Sequence, residues 1–424
     1  MDIYQMLLKI SEQLKPVLLK IFPRKFLSHK RERIFNKAIE QLSNYNPISY
    51  EKNKFPHGIN LIAGIRANTG LGESSRIVAR HLMAANIPFT IIEWYASNSQ
   101  ISDSIEFVEN ISNEFQYSIN VIHINAHEFG IALKQIGVHC LDYRYNIAFW
   151  SWELADFPKE WHGNFQVLNE IWTPSCFTSN SIKKVTDKPV YTIPHTISVS
   201  NNVLFSRKHF SLPEDQFLFL ILYNSGSLEE RKNPMAAIQA YKKTFLNSDN
   251  IGLVIKVGDC TKEEKNKLMH ETKDIKNIYY IFDSLTKHEV NSLVSCIDVY
   301  LSLHRAEGFG LVLAEAMSFG KPVIATNWSA NIEFMDKNSA CMISYQLVPI
   351  NIEVGGFKKE YQWAEANLEE ASFFMKKLYF NKQYYNYISK NAKQKIKQTL
   401  NEDDISHALY QHYTNIINGD VKGQ

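Results

Sequence analysis

Two carboxylates, Glu307 and Glu315, stand on either side of the turn Gly308-Phe309-Gly310 in the run DVYLSLHRAEGFGLVLAEAMSFGKPVIATNWSANIEFM, residues 298–335. The apolar pattern reads as a strand ending at Leu303, a loop holding His304, Arg305 and Glu307, and a helix that starts near Leu311. Gly308 and Gly310 let the backbone come close to a ligand, and a helix start offers amide groups to an anion. Carboxylates are good acceptors for neighbouring hydroxyl pairs. A diphosphate at the helix start, with two sugar rings held by the glutamates, suits these residue types at this spacing.

The elements that must position this loop repeat along the chain. After a polar break at 44–57, GINLIAGI (58–65) reads as a buried strand, followed by a glycine-rich turn, ANTGLGESSR, and then a helix. PFTIIEW, VIHINAH, YNIAFWSW, EIWTPS and PVYTIPH continue the strands. A second series starts after the polar stretch 198–215, with FLFLILYNS, IGLVIKVG, IYYIFDS, DVYLSLH and KPVIATN as strands. Helices are expected over NPMAAIQAYKKTF, VNSLVSCI and GLVLAEAMSFG. Strands alternating with helices imply parallel sheets covered on both faces, whose ligands lie beyond the carboxyl ends of the strands. At 424 residues the chain is long for one core. The organisation expected is a leader (1–50), a first domain (51–198), a second domain (199–395) and a last segment (396–424) whose aromatic-rich helix could return to the first domain.

The string Glu307-Gly308-Phe309-Gly310 with Glu315, continued by GKPVIAT (320–326), resembles the C-terminal signature of the group 1 (family 4) retaining glycosyltransferases. The resemblance implies an α/β protein of GT-B fold, two Rossmann-like domains facing across a cleft. It implies that Glu307 contacts donor-sugar hydroxyls and that the amides of Phe309, Gly310 and Leu311 contact sugar and phosphate. Glu315 would hold the ribose hydroxyls. The family usually sets an arginine and, five residues on, a lysine against the donor diphosphate. Lys232 fits that lysine, whereas Ser227 stands at the arginine position and Arg231 could supply the charge.

The N-terminal half is similar more loosely. GLGESSR (70–76) with Gly70 and Gly72 sits where the family keeps a glycine-rich loop near donor phosphate and acceptor, although a plain tight turn would look the same. WSWELADFP (150–158) resembles the subset that builds bacterial surface polysaccharides. Many members have a histidine where this chain has Trp150, which leaves Glu153, His127 and His123 as candidates to hydrogen-bond an acceptor or a donor hydroxyl. No Asp-x-Asp pair is present to carry a metal on the diphosphate, so neither metal nor cofactor is expected.

The implied activity is transfer of a hexose from a nucleoside-diphosphate sugar to a saccharide or lipid-linked acceptor with retention. A sugar-nucleotide epimerase or hydrolase, or a catalytically silent sugar-nucleotide-binding partner, is the alternative. Composition limits the rest. A net charge of +2 is not that of a nucleic-acid binder. The five cysteines, Cys140, Cys176, Cys260, Cys296 and Cys341, form no Cys-x-x-Cys pair and suit a reducing cytosol. No apolar run reaches the roughly 20 residues of a membrane span. The leader is basic, and Met6, Ile10, Leu14, Val17, Leu18 and Ile21 fall near a helical period that Pro16 interrupts. It reads either as adsorption to the anionic inner face of the cell membrane or as a helix packed on its own domain.

Overall fold

The computed structural model describes the chain apart from residues 1–23, 96–100, 102–105, 199–203, 226–227 and 421–424, and over 24–31 it describes the backbone alone. The amphipathic part of the leader and Ser227 therefore lie outside the described residues. The chain divides into two compact units. Unit 1 holds residues 1–195, 350–361 and 402–424, and unit 2 holds 196–349 and 362–401.

Unit 1 begins with α1 (Arg24–Leu42), followed by β1 (Ile59–Ala63), α2 (Gly70–Ala84), β2 (Phe89–Glu93), β3 (Ile119–His123) and α3 (Ala126–Ile136). Next come β4 (Tyr145–Phe149), β5 (Glu170–Thr173), α4 (Cys176–Lys183) and β6 (Val190–Thr192). The strands form one parallel sheet in the order β2-β1-β3-β4-β5-β6. Strands β1, β3 and β4 are buried at every position, as near-continuous apolar runs covered on both faces must be. Asn60, Asn120 and Asn146 interrupt those runs, but their amides bond one another across the three strands at 2.9 and 2.8 Å.

Unit 2 repeats the design. It contains β7 (Phe217–Asn224), α5 (Glu229–Lys232), α6 (Pro234–Phe245), β8 (Ile251–Gly258), α7 (Lys262–Glu271), β9 (Ile278–Ile281), α8 (Lys287–Cys296) and β10 (Val299–Ser302). After these come α9 (Leu311–Ser318), β11 (Val323–Thr326), β12 (Cys341–Ile343), the antiparallel pair β13 (Tyr345–Pro349) and β14 (Gln362–Ala366), α10 (Leu368–Phe380) and α11 (Lys382–Thr399). The sheet runs β12-β11-β10-β7-β8-β9, all parallel. Two core clusters lie on its two faces, one centred on Phe219, Ile255 and Leu301, the other on Leu220, Val254 and Tyr300. The last helix, α12 (Glu402–Asn418), is part of unit 1, where Leu409, Tyr413 and Ile416 join the core of β1, β3 and β4. Its His412 bonds the buried Glu170 carboxylate at 2.8 Å.

The alternating elements form an α/β fold of the GT-B class. One local expectation needs correcting. The glycine-rich stretch is not a turn that precedes a helix, because α2 already starts at Gly70. Thr69 caps it by accepting from the Gly72 amide at 3.1 Å, so both glycines lie in the first helical turn. No helix among the described residues is long and apolar enough to cross a membrane.

Candidate functional site

In unit 2 the chain leaves β10 at Ser302 and enters a loop anchored by His304. This imidazole is fully buried; its Nδ1 lies 3.1 Å from Ser302 Oγ, and its Nε2 faces Asn331 Oδ1 at 3.1 Å and the Trp328 carbonyl at 3.4 Å. Asn331 donates its amide to the Thr326 carbonyl, so its oxygen is what His304 meets. That network assigns the proton to Nε2 and leaves Nδ1 to accept from Ser302. Burial lowers the histidine's pKa, so it remains neutral and acts as a strut for the loop. Arg305 is likewise structural: it bonds Glu365 on β14 at 2.7 Å and the Glu230 carbonyl at 2.8 Å.

Glu307 is where the charges converge. Its side chain forms ion pairs with Lys232 and with Arg231 (3.4 Å), and Arg231 also donates to the Ala306 carbonyl at 2.8 Å. Burial by itself would raise this carboxyl, but Lys232 and Arg231 outweigh it and hold Glu307 at about 2. Two cations face one carboxylate, so the cluster keeps a surplus positive charge that a phosphate can neutralise. Ser329 fixes the backbone of Glu307, accepting its N–H at 2.9 Å. Ser329 does so at φ 75°, ψ −154°, a conformation that is nearly glycine's alone.

The turn after Glu307 ends at Gly310, whose φ of 96° few other residues would tolerate. α9 starts directly behind it with no side-chain cap and no acid in its first turn. That leaves the electropositive helix start to face whatever binds there. Glu315, one turn in and 4% exposed, pairs with Lys287 at the start of α8. Unit 2 thus brings together Arg231, Lys232 and Glu307 at the mouth of the Gly308–Leu311 turn, and Glu315 with Lys287 beside it.

Unit 1 carries its own open cavity at the carboxyl ends of β1 and β3, lined in part by Ala67, Thr69, Gly72, Tyr95, His123 and Glu128. Gly72 is required there because a Cβ would stand 2.1 Å from the Ala67 carbonyl, whereas one on Gly70 would meet nothing within 4 Å. His123 stacks on Phe149 and approaches Ser74 Oγ at 2.8 Å, which His195 also approaches at 3.0 Å. Burial pushes His123 down to about 4, so it is neutral near pH 7. His127 and Glu153 do not line this cavity: His127 packs near Phe35 and Trp161 from α3, and Glu153 sits in the coil after β4. Trp150 is fully buried between Phe129 and Phe157 and serves as core.

Sequence reading singled out neither Lys287 nor Ser329. A lysine at the first residue of a capped helix and a serine after a strand are common features, and their distant partners supply the meaning.

Two parallel six-stranded sheets with their covering helices define a protein of GT-B fold, and one of its units carries the Glu307 cluster. Residues 205–343 match the family described as Glycosyl transferases group 1. The chain is 30% identical over 131 residues to the O-antigen biosynthesis glycosyltransferase WclY of Escherichia coli, an alignment covering 31% of this chain and 34% of that protein. The chain thus spans about a third of the length of the curated relatives it matches. Among solved structures it resembles Anabaena HepE in complex with UDP and glucose, with TM-score 0.60 and 11% identity, covering 85% of this chain and 100% of that one. It also resembles the sucrose-phosphate synthase of Thermosynechococcus elongatus, with TM-score 0.62 and 14% identity, covering 86% and 100% of the two chains.

Proposed function

We propose that this protein is a retaining, metal-independent glycosyltransferase that moves a hexose from a nucleoside-diphosphate sugar to a saccharide or lipid-linked acceptor during bacterial surface-polysaccharide assembly. The observation that carries this reading is Glu307, clasped by Lys232 and Arg231 at the mouth of the Gly308–Leu311 turn. The similarity to WclY and to a HepE structure holding UDP and glucose supports the polysaccharide setting and the donor class.

On this reading Lys232 and Arg231 take the diphosphate and the amides of Gly308, Phe309, Gly310 and Leu311 assist. Glu307, released from part of its ion pairing, accepts from donor-sugar hydroxyls, and Glu315 accepts from the ribose. The anomeric carbon loses its bond to the phosphate oxygen as the acceptor oxygen bonds to it from the same face. The acceptor's proton passes to the departing phosphate. The two protein cations balance the leaving group's charge, a task that a metal performs elsewhere. Unit 1 holds the acceptor, with Gly70 and Gly72 forming the start of α2 beside its cavity, and Glu153 and His127, which lie outside that cavity, as contacts for the part of the acceptor that extends beyond it. The five free cysteines suit a cytosolic site of action, with the basic leader against the inner face of the membrane.

Product stereochemistry tests this. The protein, treated with a chelator, is incubated with an α-linked donor and lipid-linked saccharide acceptors, and the new anomeric proton is read by NMR. An α-linked product is expected. A β-linked product would refute retention, loss of activity in chelator would refute metal independence, and donor breakdown indifferent to acceptor would favour a hydrolase or epimerase.

A further inference from the structure

A lysine buried in a strand is costly unless something accepts from its ammonium. Lys256 is such a residue. It interrupts the otherwise apolar run of β8, it is only 5% exposed, and among the described residues it makes no hydrogen bond and no ion pair. The remaining 5% is what a ligand or water can still touch.

Register places this side chain. Lys256 pairs with Leu222 of β7 and with Ile281 of β9, and it follows Val254 by two residues, so both point to the same face of the sheet. That face is the one that packs on α8 and α9 through Val254, Leu293 and Leu313. Lys256 therefore stands near the carboxyl end of the sheet on the side where Lys287 and Glu315 meet. Asp283, two residues past Ile281, acts on it electrostatically, as does Asp259. The loop from Asp283 then leads to Lys287, the partner of Glu315.

An order follows along the carboxyl edge. Strands β10 and β7 deliver Glu307, Arg231 and Lys232; β8 and β9 deliver Lys256 and Asp283; the Glu315–Lys287 pair links the helices that follow β10 and β9. If the diphosphate lies on Lys232 and the ribose on Glu315, the base must extend toward Lys256. Two aspartates beside Lys256 repel a phosphate but tolerate a neutral acceptor. An ammonium offers only donors; uracil, thymine and guanine present carbonyl oxygens to accept them, whereas adenine presents only ring nitrogens and an amino donor that opposes the ammonium.

We propose that Lys256 reads the donor's base by donating to a ring carbonyl, so that the site takes a keto-bearing nucleotide in preference to an adenine nucleotide. This inference rests on the donor-site reading of unit 2. It makes Lys256 a specificity residue whose ammonium meets no protein acceptor among the described residues and is left for the ligand.

The test is calorimetric titration of the full chain, wild type, Lys256→Met and Lys256→Gln, with UDP, GDP, dTDP, ADP and inorganic pyrophosphate. The wild type should bind at least one keto-bearing diphosphate about tenfold tighter than ADP, and Lys256→Met should lose about tenfold for that nucleotide. Lys256→Gln, which keeps a donor, should lose less. ADP and pyrophosphate should bind both variants as they bind the wild type, and ligand-free Lys256→Met should have a Tm equal to or above that of the wild type. A wild-type preference for ADP, an equal loss for pyrophosphate, or unchanged affinity in Lys256→Met would overturn the proposal. So would a lower Tm, which would show that the protein itself holds the ammonium. A wild type that binds none of the four nucleotides would instead refute the donor-site reading on which it rests.

Discussion

Replacing Glu307 with glutamine should remove a large, pH-dependent part of the stability of unit 2. The carboxyl titrates at about 2 in the fold against 4.5 for a free glutamate. Because the folded value is the lower one, the contribution is complete above 4.5 and is lost as pH falls toward 2. The gap corresponds to about 3 kcal/mol at pH 7, of which about 2 kcal/mol is gone by pH 3. Little of this is screened, since the Glu307 side chain is only 10% exposed and that of Arg231 7%. Glu307→Gln keeps an acceptor but leaves two cations without their counter-charge, so a loss of about 3 kcal/mol at pH 7 is expected. Urea unfolding followed by tryptophan fluorescence measures it, in both proteins, at several pH values between 7 and 3. The difference between the two proteins cancels the other carboxylates and isolates this one. It should shrink by about 2 kcal/mol across that range. A difference that stays flat, or a variant as stable as the wild type at pH 7, would refute the reasoning.

Two further outcomes follow from backbone geometry. Ser329→Ala keeps the strained conformation and loses the bond to the Glu307 amide, whereas Ser329→Gly loses the bond but relieves the strain. Glycine should therefore be the better tolerated, by about 1–2 kcal/mol in urea unfolding, and equal losses would contradict the strain. In unit 1, Gly72→Ala should destabilise by about 3 kcal/mol or more, because its Cβ would meet the Ala67 carbonyl, while Gly70→Ala should be neutral or slightly stabilising by helix propensity. Thermal unfolding of the two variants separates the cases, and a stable Gly72→Ala would show that the start of α2 can shift.

What the sequence made legible was what is local in it. The apolar runs of β1, β3, β7 and β8 and the glutamates around Gly308–Gly310 could be read because pattern and chemistry lie within one short stretch. Contacts made across long separations could not. Lys287 and Glu315 are joined only once α8 and α9 pack together, and the conformation of Ser329 depends on the loop that it closes. The inclusion of residues 350–361 in unit 1 follows from packing, such as that of Phe357 on Trp152, which no periodicity announces. Lys256 did leave a signal, a lone charge in an apolar strand, but only its burial without a partner gives that signal a meaning. The glycine-rich stretch misled for a related reason: Thr69 caps the helix early, and cap geometry outweighs the low helix propensity of Gly70 and Gly72.

The central claim is that the Glu307 cluster of unit 2 grips a nucleoside-diphosphate sugar. Its most direct test is a thermal-shift and titration panel of UDP-, GDP-, ADP- and dTDP-sugars against the wild type and Lys232→Ala. One donor should raise the wild-type Tm in a saturable way, and Lys232→Ala, though folded, should lose most of that affinity. A wild type that responds to none of the donors, or a Lys232→Ala protein that binds the same donor as tightly, would contradict it.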